Sequence, residues 1–264
     1  MGRCLLAGGS RVVVALDGRS SATRERAAEL EDVGSLDALV GAADVVLCVV
    51  PPGEALALAD VLSAALERSG ARPLVAELDA TAPATVAEVA SRLPCDVVDG
   101  GISGPPPSPS STSPTRVFLS GPRAPEVAAL EAPGVAWKVL DGPMGAASAA
   151  KMCTASVRKG WEALLAHALV TAEHHGVVDP VVEDLRVSFP GAGTDRAAVA
   201  VTKAWRYVDE MTEIARTQGD AGLDPALFGA FADVYRALAT GPWGSSRPED
   251  VPGDVPASSL RPGS

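Results

Sequence analysis

The chain has 264 residues, 47% of them hydrophobic and 21% charged, with a formal net charge of −11. That length can bury a real core without staples, as one large or two moderate domains. The acidic balance disfavours binding along a nucleic-acid backbone, although local amides and one or two arginines can still hold a single nucleotide. No apolar run reaches the roughly 18 residues that cross a bilayer, and the first residues lack the basic-then-apolar pattern of a signal peptide. Cys4, Cys48, Cys95 and Cys153 are scattered, with no zinc-like Cys/His spacing. They read as reduced thiols of a cytoplasmic protein, with no metal, no nucleic acid and no membrane among its partners.

In chain order, residues 11–16 (Arg-Val-Val-Val-Ala-Leu) read as a strand, and Asp17-Gly18-Arg19-Ser20 as the polar turn after it. A dinucleotide-binding domain usually carries such a turn at the end of its second strand, where the adenosine ribose docks. A carboxylate there favours NAD and an arginine favours NADP. With both Asp17 and Arg19 present, and Ser20, Thr23 and Arg24 close behind to bond a phosphate, NADP is the preferred reading and NAD the alternative. Residues 21–30 and 35–40 have helical patterns. Residues 45–50 are a continuous apolar run stopped by Pro51-Pro52, as in a strand buried on both faces.

Helical spacing then covers residues 54–69, ending at Gly70, and 83–93. Strand-like runs fall at 74–78, 96–99, 115–120 and 135–140. This alternation predicts an α/β Rossmann-type, mostly parallel sheet over residues 1–142. The proline/serine stretch 105–114 reads as a loop. From residue 145 to 175 one apolar stripe predicts a long helix, followed by helices at 181–187, 194–218 and 225–239. Residues 143–240 are therefore expected to form an all-helical domain, and 241–264 a disordered tail rich in Pro, Gly, Ser and Asp.

Three ordered stretches carry a family likeness: Ala43-Asp44-Val45-Val46-Leu47-Cys48-Val49-Val50-Pro51-Pro52, Asp99-Gly100-Gly101-Ile102-Ser103-Gly104, and Gly145 followed by Lys151 six residues on. Together they resemble the β-hydroxyacid dehydrogenases, the NAD(P)-binding superfamily that includes 6-phosphogluconate dehydrogenase. The helical half, with Lys151-Met152, Ser156 to Leu164, His175-Gly176-Val177 and Glu210 to Ala215, is similar to the C-terminal domain of the DUF1932 type. Members of the superfamily begin with a strand and a G-x-G-x-M-G turn. Here Met1-Gly2 align with its final M-G, so the first strand is expected to be missing; a native chain that extends upstream is the preferred reading, and a truncated protein with weakened cofactor binding the alternative.

The resemblance implies an NAD(P)-dependent oxidoreductase of the dehydrogenase or reductase kind, acting on a small carbonyl or hydroxy compound, as a homodimer built through the helical domain. It implies Lys151 as general acid or base. It implies Gly2, Asp17, Arg19, Ser20, Thr23, Val50, Pro51, Pro52 and Thr81 at the cofactor, and Ser103, Gly104 and Thr154 at the substrate. Ala155 departs from the superfamily's asparagine one turn after the lysine, which weakens transfer of the hydroxyacid substrate and opens an imine reductase as an alternative. A non-catalytic dinucleotide-binding or interaction protein is the alternative outside enzymes. Glu210 and Glu213, one turn apart, read as a solvated or subunit-facing helix side. Trp161, Trp205, Tyr207 and Phe231 read as helical core, with Trp205 also placed to line a substrate cleft.

Overall fold

A computed structural model describes residues 1–244, 246, 250–251 and 257–260, with backbone alone at 194, 195, 198, 199 and 259. It forms two compact units, Met1–Met152 and Cys153–Ser264. In the first, β1 (Val13–Val14) pairs in parallel with β2 (Glu31–Asp32) as a separate two-stranded sheet. A five-stranded sheet follows in the order β3 (Val45–Cys48), β4 (Leu74–Glu77), β5 (Val97–Ser103), β6 (Thr115–Ser120), β7 (Val135–Val139). Its neighbours are parallel except β5 and β6, which run antiparallel. The helices of this unit are α1 (Gly2–Ala7), α2 (Ser21–Arg26), α3 (Leu36–Ala42), α4 (Ala55–Ser69), α5 (Pro83–Arg92) and α6 (Ala124–Ala128).

The local causes are visible in the residues. Ser20 and Ser35 cap α2 and α3 by accepting from the amides of Thr23 and Ala38. Gly70, at φ +70°, ends α4 in the left-handed region. Along β3 and β4 alternate residues join different cores. Val46, Cys48 and Val75 pack with Val40, Leu62 and Leu66, whereas Leu74 and Ala76 pack with Leu78, Val98, Val117 and Leu119. Burial on both faces is why these strands read as unbroken apolar runs.

The strand expected at 11–16 is only Val13–Val14, because β2 offers a ladder no longer than Glu31–Asp32. The strand expected at 96–99 runs on to Ser103, since β6 pairs with it as far as Arg116 opposite Ser103.

The second unit is all-helical. α7 (Ala146–His174) begins in the first unit and continues into it, followed by α8 (Val178–Ser188), α9 (Thr194–Asp220) and α10 (Ala226–Ala239). Tyr207 and Tyr235 meet edge to face at 5.1 Å between α9 and α10, over buried Met211, Ile214 and Leu238. Glu210 is not a solvated residue. It is 7% exposed and ion-paired with Lys159 of α7, itself 1% exposed. The Lys159 ammonium lies 4.2 Å from the Tyr207 ring centroid, and the Tyr235 hydroxyl donates to the Lys159 carbonyl at 2.7 Å. Tyr207 is buried, Trp161 and Phe231 are half-buried, and Trp205 is 54% exposed rather than core.

Of the tail expected to be disordered, residues 245, 247–249, 252–256 and 261–264 lie outside the described residues. Ala257–Leu260 forms a 3₁₀ turn with Leu260 buried.

Candidate active site

One register line crosses the carboxyl end of the sheet. Cys48 pairs opposite Glu77, Glu77 opposite Asp99, and Asp99 opposite Ser120. Open parallel sheets bind ligands at this end of their strands. All four residues are buried, which is unusual for two carboxylates in a sheet unless their oxygens are satisfied.

Asp99 is satisfied fully. Its Oδ2 accepts from the amides of Gly145, Ala147 and Ser148 at 2.9, 2.9 and 3.1 Å and from the Ser120 hydroxyl at 2.7 Å. Its Oδ1 accepts from the Ser148 hydroxyl at 2.5 Å. The carboxylate thus caps the N-terminus of α7 from a distant strand, where amides left over from the helical ladder and the helix dipole both favour an anion. Gly145, at φ +102°, supplies a backbone conformation open to glycine, and Gly101 supplies the clearance. A Cβ on Gly101 would stand 2.8 Å from the Cβ of Lys151, so the α7 lysine packs directly on the β5 backbone. Lys151 is 7% exposed, in a helix whose start is pinned by four hydrogen bonds to one carboxylate.

Beside it lies a second pair of acids. Glu77 Oε2 accepts from the Asp79 amide at 3.2 Å and the Thr81 hydroxyl at 3.4 Å, while Asp79 Oδ1 accepts from the Val50 amide at 2.5 Å. Glu77 Oε1 and Asp79 Oδ2 face no donor. Burial raises Asp79 to about 6 against the opposing pull of the Val50 amide. Burial, reinforced by the Asp79 charge, raises Glu77 well above the usual carboxylate range. Both acids are thus shifted toward the protonated form, beside the Val50 amide that Asp79 accepts and the Thr81 hydroxyl that Glu77 accepts. Burial, then the charges of Asp79 and Glu77, also raises the Cys48 thiol, which excludes it as a ready nucleophile.

The expected site residues fall into three places. Asp17, Arg19 and Ser20 are exposed in the turn after β1. There the Ser20 hydroxyl caps α2 at 3.3 Å and lies 3.1 Å from that of Thr23, and Arg24 Nε donates to the Arg19 carbonyl. Gly2 starts α1, but the space a Cβ would fill there is taken by Leu30 at 2.8 Å.

Val50 and Pro51 are half-exposed beyond β3, Pro52 is buried, and Thr81 is wholly buried with its hydroxyl turned to Glu77. Ser103 is half-buried at the end of β5, with Gly104 exposed at φ +147°. Thr154 is exposed on α7, and Ala155 is 2% exposed. Glu77, Ser120 and Ser148 were not singled out in the sequence. The one available signal was a glutamate inside an apolar strand run. Among the described residues no cluster of His, Cys, Asp or Glu is placed to hold a metal ion, and no helix is long and apolar enough to cross a membrane.

Comparison with known proteins bears on the fold. The family described as "Domain of unknown function (DUF1932)" matches residues 172–238. The conserved protein MTH1747, of unknown function and structurally similar to 3-hydroxyacid dehydrogenases, superposes with a TM-score of 0.63 at 28% identity, covering 90% of this chain and 91% of its own. The chain has the 3-hydroxyacid dehydrogenase-like fold, and residues 172–238 of its helical half match the DUF1932 model. The 3-hydroxyisobutyrate dehydrogenase of Salmonella typhimurium shares the fold at TM-score 0.68 and 14% identity, over 98% of this chain and 93% of its own. The imine reductase of Streptomyces aurantiacus does so at 0.51 and 20% identity, over 97% and 92%. No curated protein sequence matches this one.

Proposed function

We propose that the protein is an NAD(P)-dependent oxidoreductase in which Lys151 handles the proton that accompanies hydride transfer. The observation that carries this reading is the Asp99 cap, which fixes the first turn of α7 and with it a lysine packed on Gly101 at the sheet's carboxyl edge. The dehydrogenase and reductase names among proteins of this fold support the class of reaction. The residues present fit the adenosine end of the cofactor. Arg19 and Arg24 bring two cations to the turn after β1, beside the Thr23 hydroxyl, and that donor set suits a 2′-phosphate better than a bare ribose.

The nicotinamide, when bound, supplies or accepts the hydride. Lys151 as an ammonium would donate a proton to the oxygen of a small carbonyl as negative charge grows there, and as a neutral amine would take one from a hydroxyl in reverse. Ser103 and the neighbouring Gly104 would hold the substrate's polar end, with Thr154 as a further hydroxyl. An imine is the second reading, because the position one turn after Lys151 is an alanine with no hydrogen-bonding side chain to orient a hydroxy acid. In that reading the same ammonium protonates the imine nitrogen.

The deciding experiment follows oxidation of NADPH and NADH with a panel of small aldehydes, 2- and 3-keto acids and cyclic imines. Turnover of any member that Lys151→Ala abolishes supports the reading. Cofactor binding without turnover of any member would instead favour a binding protein.

A further inference from the structure

The second unit gathers positive charge in a chain whose net charge is −11. α7 carries Arg158 and Glu162 four residues apart, on one face of the helix. α9 carries Arg196, Lys203 and Arg206 at spacings of seven and three residues, which again is one face. The Arg196–Glu162 ion pair, at 2.7 Å, brings the two faces together. Lys203 sits in the field of the whole group. Burial, then repulsion by Arg206, lowers its ammonium from the ordinary value; Arg158 and Arg196 add to this, and Glu162 is the carboxylate that opposes it. Lys159 is already neutralised by Glu210.

Two of these guanidinium groups rest on aromatic rings. Arg196 lies 5.9 Å from the Trp161 ring centroid, and Arg206 lies 5.7 Å from that of buried Tyr207. Their donors are not used up. Arg196 Nε and Arg206 Nε are buried and face no acceptor among the described residues. Glu162 is 2% exposed, and its Oε2 faces no donor, although Oε1 takes Arg196. Unused buried donors and an unused buried acceptor thus meet at one ion pair, and each is costly unless something satisfies it. Arg158 is exposed and Lys203 half-buried, so the group opens to solvent.

Cations in excess of carboxylates suit an oxyanion, and planar guanidinium groups suit one with several oxygens. The unused Glu162 oxygen narrows the choice. It repels an anion that only accepts hydrogen bonds, and it is satisfied by one that also carries an O–H. Near neutral pH a phosphate group can keep such a hydrogen, whereas sulfate, of the same shape and charge, has none.

We infer that Arg158, Arg196, Lys203 and Arg206 form a site for a phosphate group, free or as a small monoester, whose remaining O–H donates to Glu162 Oε2. The site lies wholly within the second unit, so its test needs no turnover and stands apart from the reaction proposed for Lys151.

The test is calorimetric titration of the full chain at constant ionic strength near neutral pH, with inorganic phosphate, glycerol phosphate and sulfate as probes. Phosphate or its ester should bind at least about tenfold more tightly than sulfate, the tighter of the two naming the source, and Lys203→Gln or Arg206→Gln should weaken that binding by about tenfold or more. Glu162→Gln should bring phosphate and sulfate close together, because an amide can donate to either. Circular dichroism checks that each variant is folded. Should Arg206→Gln or Glu162→Gln fail to fold, Lys203→Gln and the comparison of phosphate with sulfate on the unaltered chain decide. No binding of either phosphate probe, equal binding of sulfate, or phosphate affinity unchanged by Lys203→Gln would each overturn the inference.

Discussion

At the scale of single residues, the site depends on three carboxylates in two different settings. Asp99 accepts from five donors. Replacing it by alanine removes this acceptor from the Gly145 and Ser148 amides and the Ser120 and Ser148 hydroxyls, while the Ala147 amide keeps the Ser120 hydroxyl at 3.0 Å, and each orphaned group costs about 1–3 kcal/mol. Asp99→Ala should lower stability by about 4 kcal/mol or more in denaturant unfolding, whereas Asp99→Asn, which keeps one acceptor, should lose less.

Glu77 and Asp79 behave the other way. Their raised folded-state values mean that the native state binds protons more tightly than the unfolded chain. Their contribution is complete below about pH 4 and is lost as pH rises through about 6 for Asp79 and higher for Glu77. For Asp79 the range is about 3 kcal/mol at most. Unfolding curves taken from pH 4 to 9 should show that decline, and Glu77→Gln should flatten its alkaline part. A profile unchanged by Glu77→Gln would contradict the upward shift of Glu77. For Lys151, substitution by alanine should cut turnover by about 10²–10⁴-fold with little effect on cofactor affinity, the range expected for a lost general acid.

At the scale of elements, the contact between α7 and β5 is made close by the missing side chain of Gly101. Gly101→Ala would place a methyl carbon 2.8 Å from the Lys151 Cβ, and the helix or the lysine must shift. Overpacking of this kind costs about 1–3 kcal/mol, and the loss of activity should exceed what that destabilisation explains. The turn after β1 is a separate element with a separate readout. Arg19→Ala should weaken NADPH binding while sparing NADH, as equilibrium titration of the two cofactors would reveal.

In the second unit the Lys159–Glu210 pair joins α7 to α9. Glu210→Leu alone strands a buried ammonium and should cost about 3–5 kcal/mol, while the double change Lys159→Met with Glu210→Leu should recover most of it. Calorimetry of the three proteins distinguishes a structural pair from a site that needs its charge.

At the scale of the whole molecule, the division of labour between sequence and tertiary structure follows from what each interaction requires. The alternation of strands and helices, the all-helical second half, and the stops at Pro51-Pro52 and Gly70 were legible because burial on two faces, helical spacing and chain-breaking residues are local properties. The buried Lys159–Glu210 pair was not legible, because a charged residue in a helical stripe looks solvated until its partner on another helix is known.

The same holds for the site. Lys151 and the Asp99 stretch stood out as motifs. That Asp99 caps a helix beginning 46 residues later and that Glu77 lies between Cys48 and Asp99 on one register line came only with the fold. Residue order determined which segments form and which groups they carry. Long-range pairing decided which carboxylate meets which amide, because hydrogen bonds and burial depend on distances in space that sequence separation does not encode.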